Sequence, residues 1–168
     1  MATSSLANTL RRSLLIKIIS KPAPSREDIN SVVELTASKV VEALQAQSMT
    51  IYIVEGNDIT FKHVYYSPTL WAINPRYGEY FQELSEKLLA TKLPLGTGNV
   101  GKVIATAQPL FFTKNGPDAS SLLSMAKTTG FDVQSMLTVP LKTNIVIGAI
   151  QVLNKEPSAG TNGEFTQR

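Results

Sequence analysis

Gly96, Gly98 and Gly101 fall in the GxGxxG spacing, and Gly96, Gly101 and Lys102 in the GxxxxGK spacing, the two glycine patterns that cradle phosphates. A phosphate loop next needs Ser or Thr to hold Mg²⁺, and Val103 stands there. Both patterns must also follow a buried strand, whereas residues 83–93 read as an amphipathic helix. The glycines read instead as a tight entry into a helix over residues 99–107. His63, the single histidine, shares an alternating face with Ile59, Phe61 and Tyr65 and has no acidic partner nearby in sequence. It reads as a sheet residue rather than a catalytic imidazole or haem ligand. Glu83 and Glu86 read as solvated helix positions, and no serine elbow, HExxH or calcium loop is present. No catalytic residue and no metal ligand is assigned, and no enzyme activity is expected.

Composition narrows the classes further. The 168 residues suit one domain with a real core. A net charge of +3 spread without a basic stripe gives no case for nucleic acid. Cysteine is absent, which removes disulfides, thiolate nucleophiles and thioether-linked chromophores. No window resembles a membrane span. The apolar run at residues 14–19 is interrupted by Lys17, so it does not form a secretory core, and a cytoplasmic location without membrane insertion is expected.

The elements that would position a site follow from periodicity. Leu6, Leu10, Leu14 and Ile18 mark a helix over residues 5–20, stopped by Pro22 and Pro24. A second helix starts at Ser25, where Ser25 and Asp28 form a capping box, and runs to about residue 46 on Ile29, Val32, Val33, Ala37, Val40, Val41 and Leu44. Residues 49–54 and 59–65 are β-branched and aromatic around a polar turn, which predicts a hairpin. Helices are predicted over residues 79–90, 99–107 and 119–128, with a short strand at 110–112. Residues 136–141 and 145–153 are nearly continuous apolar runs, as in central strands covered on both faces. Hairpins separated by helices indicate an antiparallel α+β domain.

Two groups of residues remain open at this level. The aromatic set around Tyr65, Tyr66, Trp71, Tyr77, Tyr80 and Phe81 is either the lid of an apolar pocket or a satellite core beneath a long loop. The helix over residues 5–20 carries Arg11, Arg12 and Lys17 beside its apolar stripe. It reads as a stalk that packs against a second copy rather than as a membrane-surface helix.

Three segments resemble the GAF domain family: residues 98–110, beginning Gly98-Asn99-Val100-Gly101-Lys102; residues 130–141, from Gly130-Phe131 to Pro140-Leu141; and residues 146–155, ending Asn154-Lys155. Asn154, Lys155 and Phe165 also match a pattern of cyclic-nucleotide phosphodiesterases and cyclases, in which an acidic pair follows. The chain stops at Arg168 before that pair, which points to a domain excised from a longer protein. The resemblance divides the chain into an N-terminal helix and linker, residues 1–24, and a GAF domain, residues 25–168. It implies a central antiparallel sheet of about six strands, long helices on one face and short lid helices over a pocket on the other. It places ligand contacts at Thr50, Tyr65, Thr129 and Gln151, with Tyr66, Trp71, Phe112 and Phe131 as lid candidates. The implied ligand is a cyclic nucleotide or another small molecule. Val64-Tyr65 stands where those domains carry Phe-Asp, and apolar Val133 replaces a polar position, so a different ligand or an unfilled pocket stays open. The implied function is a sensor that binds a small molecule and relays the signal, through helix-mediated homodimerisation, to an output domain missing from this chain. A ligand-free dimerisation module is the alternative.

Overall fold

A computed structural model of the chain describes residues 25–72, 74–116, 127, 129–157 and 163–165. The expected helix over residues 5–20, and nearly all of the one over 119–128, lie outside the described residues. The first described element is α1, Arg26–Leu44. Ser25 caps it as the sequence predicts: its Oγ accepts from the Asp28 amide at 3.1 Å, and the Ser25 amide donates to the Asp28 carboxylate at 2.9 Å. Gln45 ends the helix in the left-handed conformation at φ 51°.

Six strands form one antiparallel sheet, in the order β3-β2-β1-β6-β5-β4. They are β1 (Ala46–Glu55), β2 (Asp58–Tyr66), β3 (Lys92–Pro94), β4 (Leu110–Thr113), β5 (Ser135–Lys142) and β6 (Val146–Lys155). Two further helices, α2 (Arg76–Leu89) and α3 (Gly98–Thr106), lie between β2 and β4. The α+β architecture is the expected one, and the continuous apolar runs are β5 and β6, with β6 central beside β1.

Strand β1 begins three residues earlier than its periodicity suggests. Ala46 and Ser48 pair with Lys155 and Leu153 of β6, and the Gln45 carbonyl accepts from the Glu156 amide at 2.6 Å. These are long-range bonds that no local pattern encodes. β3 was not apparent in the sequence for a related reason. Three residues carry no readable period, and the strand exists only because it pairs with Asp58–Thr60 at the sheet edge.

The sheet separates two apolar clusters. On one face Ala37 and Val41 of α1 pack on Met49, Val152 and Phe165. On the other, α2 and α3 bring Phe81, Leu84, Val100 and Val103 against Tyr52, Phe61, Tyr66 and Leu153. Asn154 is held at the end of β6 with its carboxamide fully used. It accepts from the amides of Gln134 and Ser135 and donates to Gln47 Oε1 and the Asp132 carbonyl, so the Asn-Lys motif anchors the entry to β5.

A bulge in β2 sets which side chains face which cluster. Ile51 pairs with His63 and Tyr52 with Phe61, which leaves Lys62 as an extra residue. Ile59 and Phe61 therefore face α3, while His63 and Tyr65 turn to the α1 side. The single shared face expected for these four residues is split. His63 Nε2 lies 3.0 Å from Glu34 Oε2 of α1, an acidic partner that sequence proximity did not reveal.

Candidate functional site

Between the sheet and helices α2 and α3 lies a cavity of about 430 Å³. Its floor follows from the alternation of two central strands. Ser48, Thr50 and Tyr52 of β1 and Gln151 and Leu153 of β6 face it, while Met49 and Val152 face α1. Its walls are Phe61, Tyr66, Leu84, Leu88 and Phe131. Thr97, Gly98 and Asn99 at the start of α3, with Lys87, Thr91 and Thr129, line it as well.

The floor is polar and buried. Gln151, only 3% exposed, accepts from the Tyr52 hydroxyl at 3.1 Å and donates through Nε2 to Thr138 Oγ1 at 3.1 Å and to Met136 Sδ at 3.0 Å. Ser48 is 1% exposed, and its hydroxyl has no hydrogen-bond partner among the described residues. Burial pushes the Tyr52 and Tyr66 phenols well above their ordinary value; the Thr50 hydroxyl beside Tyr52 opposes the shift. Both phenols are neutral donors at neutral pH.

The α3 side of the cavity is cationic in character. The amides of the first helical turn have no carbonyl within the helix to donate to, and Thr97 contributes no side-chain cap. Lys87 is the one ionised side chain among the described residues lining the cavity. The glycine pattern serves packing here. Gly101 lies against Gly96 so closely that a Cβ on it would sit 2.4 Å from the Gly96 carbonyl carbon, and Gly96 and Gly98 adopt φ +90° and +62°. The segment before this loop is the edge strand β3, not a buried strand.

Of the four ligand contacts implied by resemblance, Thr50, Thr129 and Gln151 line the cavity. Tyr65 does not: the Lys62 bulge turns it toward α1, where it packs with the cluster around Met49. Its neighbour Tyr66 lines the cavity in its place. Among the lid candidates, Tyr66 and Phe131 form walls, stacked edge-on at 5.6 Å between ring centroids. Trp71 and Phe112 pack behind them in the core around Phe81. The aromatic set is thus partly wall and partly core. Tyr80 closes one side by donating to the Thr129 carbonyl at 2.9 Å. Ser48, Tyr52, Phe61 and Lys87 also line the cavity, and neither periodicity nor the family resemblance marks them as site residues. Ser48 and Tyr52 share the alternation of Thr50: Tyr52 lies within the strand that the sequence predicts, and Ser48 one residue before it. Lys87 carries no local signal, because α2 presents it to the cavity only through tertiary packing.

A six-stranded antiparallel sheet with α1 on one face and a cavity beneath α2 and α3 on the other defines an α+β domain built around an internal site. The GAF domain family model matches residues 28–168, and the chain belongs to that family, whose members are generally small-molecule-binding or regulatory sensor domains set in multidomain proteins. Solved structures share the fold at low identity. The GAF domain of a phosphoenolpyruvate-protein phosphotransferase (ptsP) from Coxiella burnetii is 15% identical, with a TM-score of 0.59 over 95% of this chain and 80% of that one. The A. aeolicus nlh2 GAF domain in an inactive state is 15% identical, with a TM-score of 0.55 over 95% and 85%. An NreA protein from Staphylococcus aureus, mutated in its nitrate binding site, is 15% identical, with a TM-score of 0.56 over 79% and 89%. No curated protein matches the chain. No described helix is long and apolar enough to cross a membrane.

Proposed function

We propose that this domain is a regulatory sensor that binds a small organic anion in the cavity and passes its occupied state through α1 to an attached output domain. The observation that carries this reading is the Ser48 hydroxyl, buried and unpartnered on the floor of a cavity of about 430 Å³. That volume falls within the roughly 300–1,000 Å³ of small-molecule sites. A buried polar group without a partner costs about 1–3 kcal/mol, which a ligand bonded to it recovers. Lys87 and the first-turn amides of α3 favour a negative charge on the ligand. The aromatic walls Phe61, Tyr66 and Phe131 favour a flat, unsaturated body. A cyclic nucleotide meets that description, and so does an aromatic carboxylate.

The same strands supply a route for the signal. Ser48 and Thr50 touch the cavity, while Met49 between them packs on Ala37 and Val41 of α1. A ligand that reorders the floor thereby changes the surface on which α1 rests, provided it binds the two arrangements unequally. In the proposed assembly α1 and residues 1–24 pair with those of a second copy.

Thermal denaturation with cyclic AMP, cyclic GMP and a metabolite library tests the sensor reading. The expected result is a midpoint that rises with the concentration of at least one anionic compound. A flat response throughout, with a dimer that weakens on deletion of residues 1–24 in sedimentation, would replace it with a ligand-free dimerisation module.

A further inference from the structure

The floor of the cavity presents an acceptor rather than a donor, and the reason lies in which residues hold the Gln151 carboxamide. A side-chain amide placed among hydroxyls alone can turn over, because hydroxyls donate or accept equally well. Met136 removes that freedom. Its thioether sulfur carries no proton, so the amide group 3.0 Å from it must be the NH₂. One Nε2 proton goes to Met136 Sδ and the other to Thr138 Oγ1. Met136 and Thr138 are both fully buried, and neither lines the cavity. The opposite end, Oε1, accepts from Tyr52, which does line it. A carbonyl oxygen has two lone pairs, and Tyr52 uses one. The unused capacity of Gln151 is therefore a single acceptor site, at the end of the amide nearer the cavity.

We infer that Gln151, oriented by Met136, is a specificity-determining residue that selects ligands carrying an N–H or O–H donor on the part that reaches the floor. This inference rests on the small-anion reading of the cavity. A ligand whose deep end offers only an acceptor meets the Gln151 oxygen lone pair to lone pair and loses the hydrogen bond it had in water. The donor is a neutral one, because no described lining residue supplies a carboxylate to pair with a buried cation. The unpartnered Ser48 hydroxyl is indifferent, since it can accept or donate, so the discrimination falls to Gln151.

Four para-substituted benzoates test the selection. Each carries one carboxylate for the α3 side and one small group for the floor: 4-aminobenzoate and 4-hydroxybenzoate as donors, 4-formylbenzoate as an acceptor, and 4-fluorobenzoate with neither role in strength. Dissociation constants are measured on the full chain by titration in ¹⁵N-resolved NMR. The donors are expected to bind about tenfold more tightly than the formyl and fluoro compounds. Met136→Leu keeps the volume but removes the sulfur that forbids the turned amide. In that variant the preference for 4-aminobenzoate over 4-formylbenzoate is expected to shrink to about threefold or less, with 4-fluorobenzoate affinity unchanged. A purely structural role for Met136 would move all four affinities together and would overturn its part in the selection. Gln151→Met gives a second check and is expected to abolish the donor preference while 4-fluorobenzoate still binds. Equal affinities of the four compounds for the unaltered chain would overturn the inference and leave the cavity as a ligand site. Absence of any binding would overturn the small-anion reading itself, and the inference with it.

Discussion

The two faces of β1 and β6 differ sharply although they are cut from the same strands. Toward α1 stand Met49 and Val152, packed on Ala37 and Val41 with 0–3% exposure and no polar group among them. Toward the cavity stand Ser48, Thr50, Tyr52 and Gln151, equally buried but polar, with one hydroxyl unpartnered. Burying apolar area stabilises by about 25 cal/mol per Å², whereas burying polar groups costs unless each finds a partner. The α1 face therefore carries stability. The cavity face gives some of it up to keep groups ready for a ligand.

The contrast can be broken on the α1 face first. Met49→Ala leaves a void under α1 and is expected to cost about 2–5 kcal/mol in chemical denaturation, the largest single effect named here. Gly101→Ala forces the Gly96 backbone away from α3 and is expected to cost about 1–3 kcal/mol, read in the same experiment, with weakened ligand response because Thr97 and Gly98 line the cavity.

Alkaline pH probes the cavity face through its two buried phenols. Tyr52 and Tyr66 have raised values in the folded protein, so their neutral forms are what folding favours. Unfolded tyrosines ionise near pH 10, so the contribution is complete below that pH. It is lost progressively above, as the unfolded chain releases protons the folded one retains. Stability measured by urea titration is expected to fall above about pH 10, and less steeply in Tyr66→Phe. Ser48→Ala sharpens the comparison with the smallest effect. Removing an unpartnered hydroxyl is expected to leave the ligand-free stability unchanged or raise it by up to about 1 kcal/mol. The same substitution weakens whichever ligand the thermal screen identifies. A clear loss of ligand-free stability would show that Ser48 has a structural role.

Much of the fold was legible because its signals are local. The Ser25–Asp28 box marked the start of α1, and the unbroken apolar runs marked β5 and β6 as interior strands. β3 and the early start of β1 were not legible, since both are made by pairing with distant residues. The site was legible in outline only. Thr50 and Gln151 fell on the cavity face, but Tyr65 was displaced by a bulge whose extra residue, Lys62, resembles any other strand lysine. The side chains that hold Gln151 come from β1 and β5, and only the folded sheet brings them within reach of it.

Lys62 also makes the length of β2 a variable independent of its composition. Beyond it, every side chain is out of phase with those before it. A slip of register that drew Lys62 into the ladder, with every residue kept, would restore a single phase and exchange the pair His63 and Tyr65 with the pair Val64 and Tyr66 across the sheet. An imidazole and a different phenol would then face the ligand, with no substitution anywhere in the cavity. A change of register, rather than a substitution in the cavity, is the shortest step to a chemically new wall, whereas deletion of Lys62 would keep the present one.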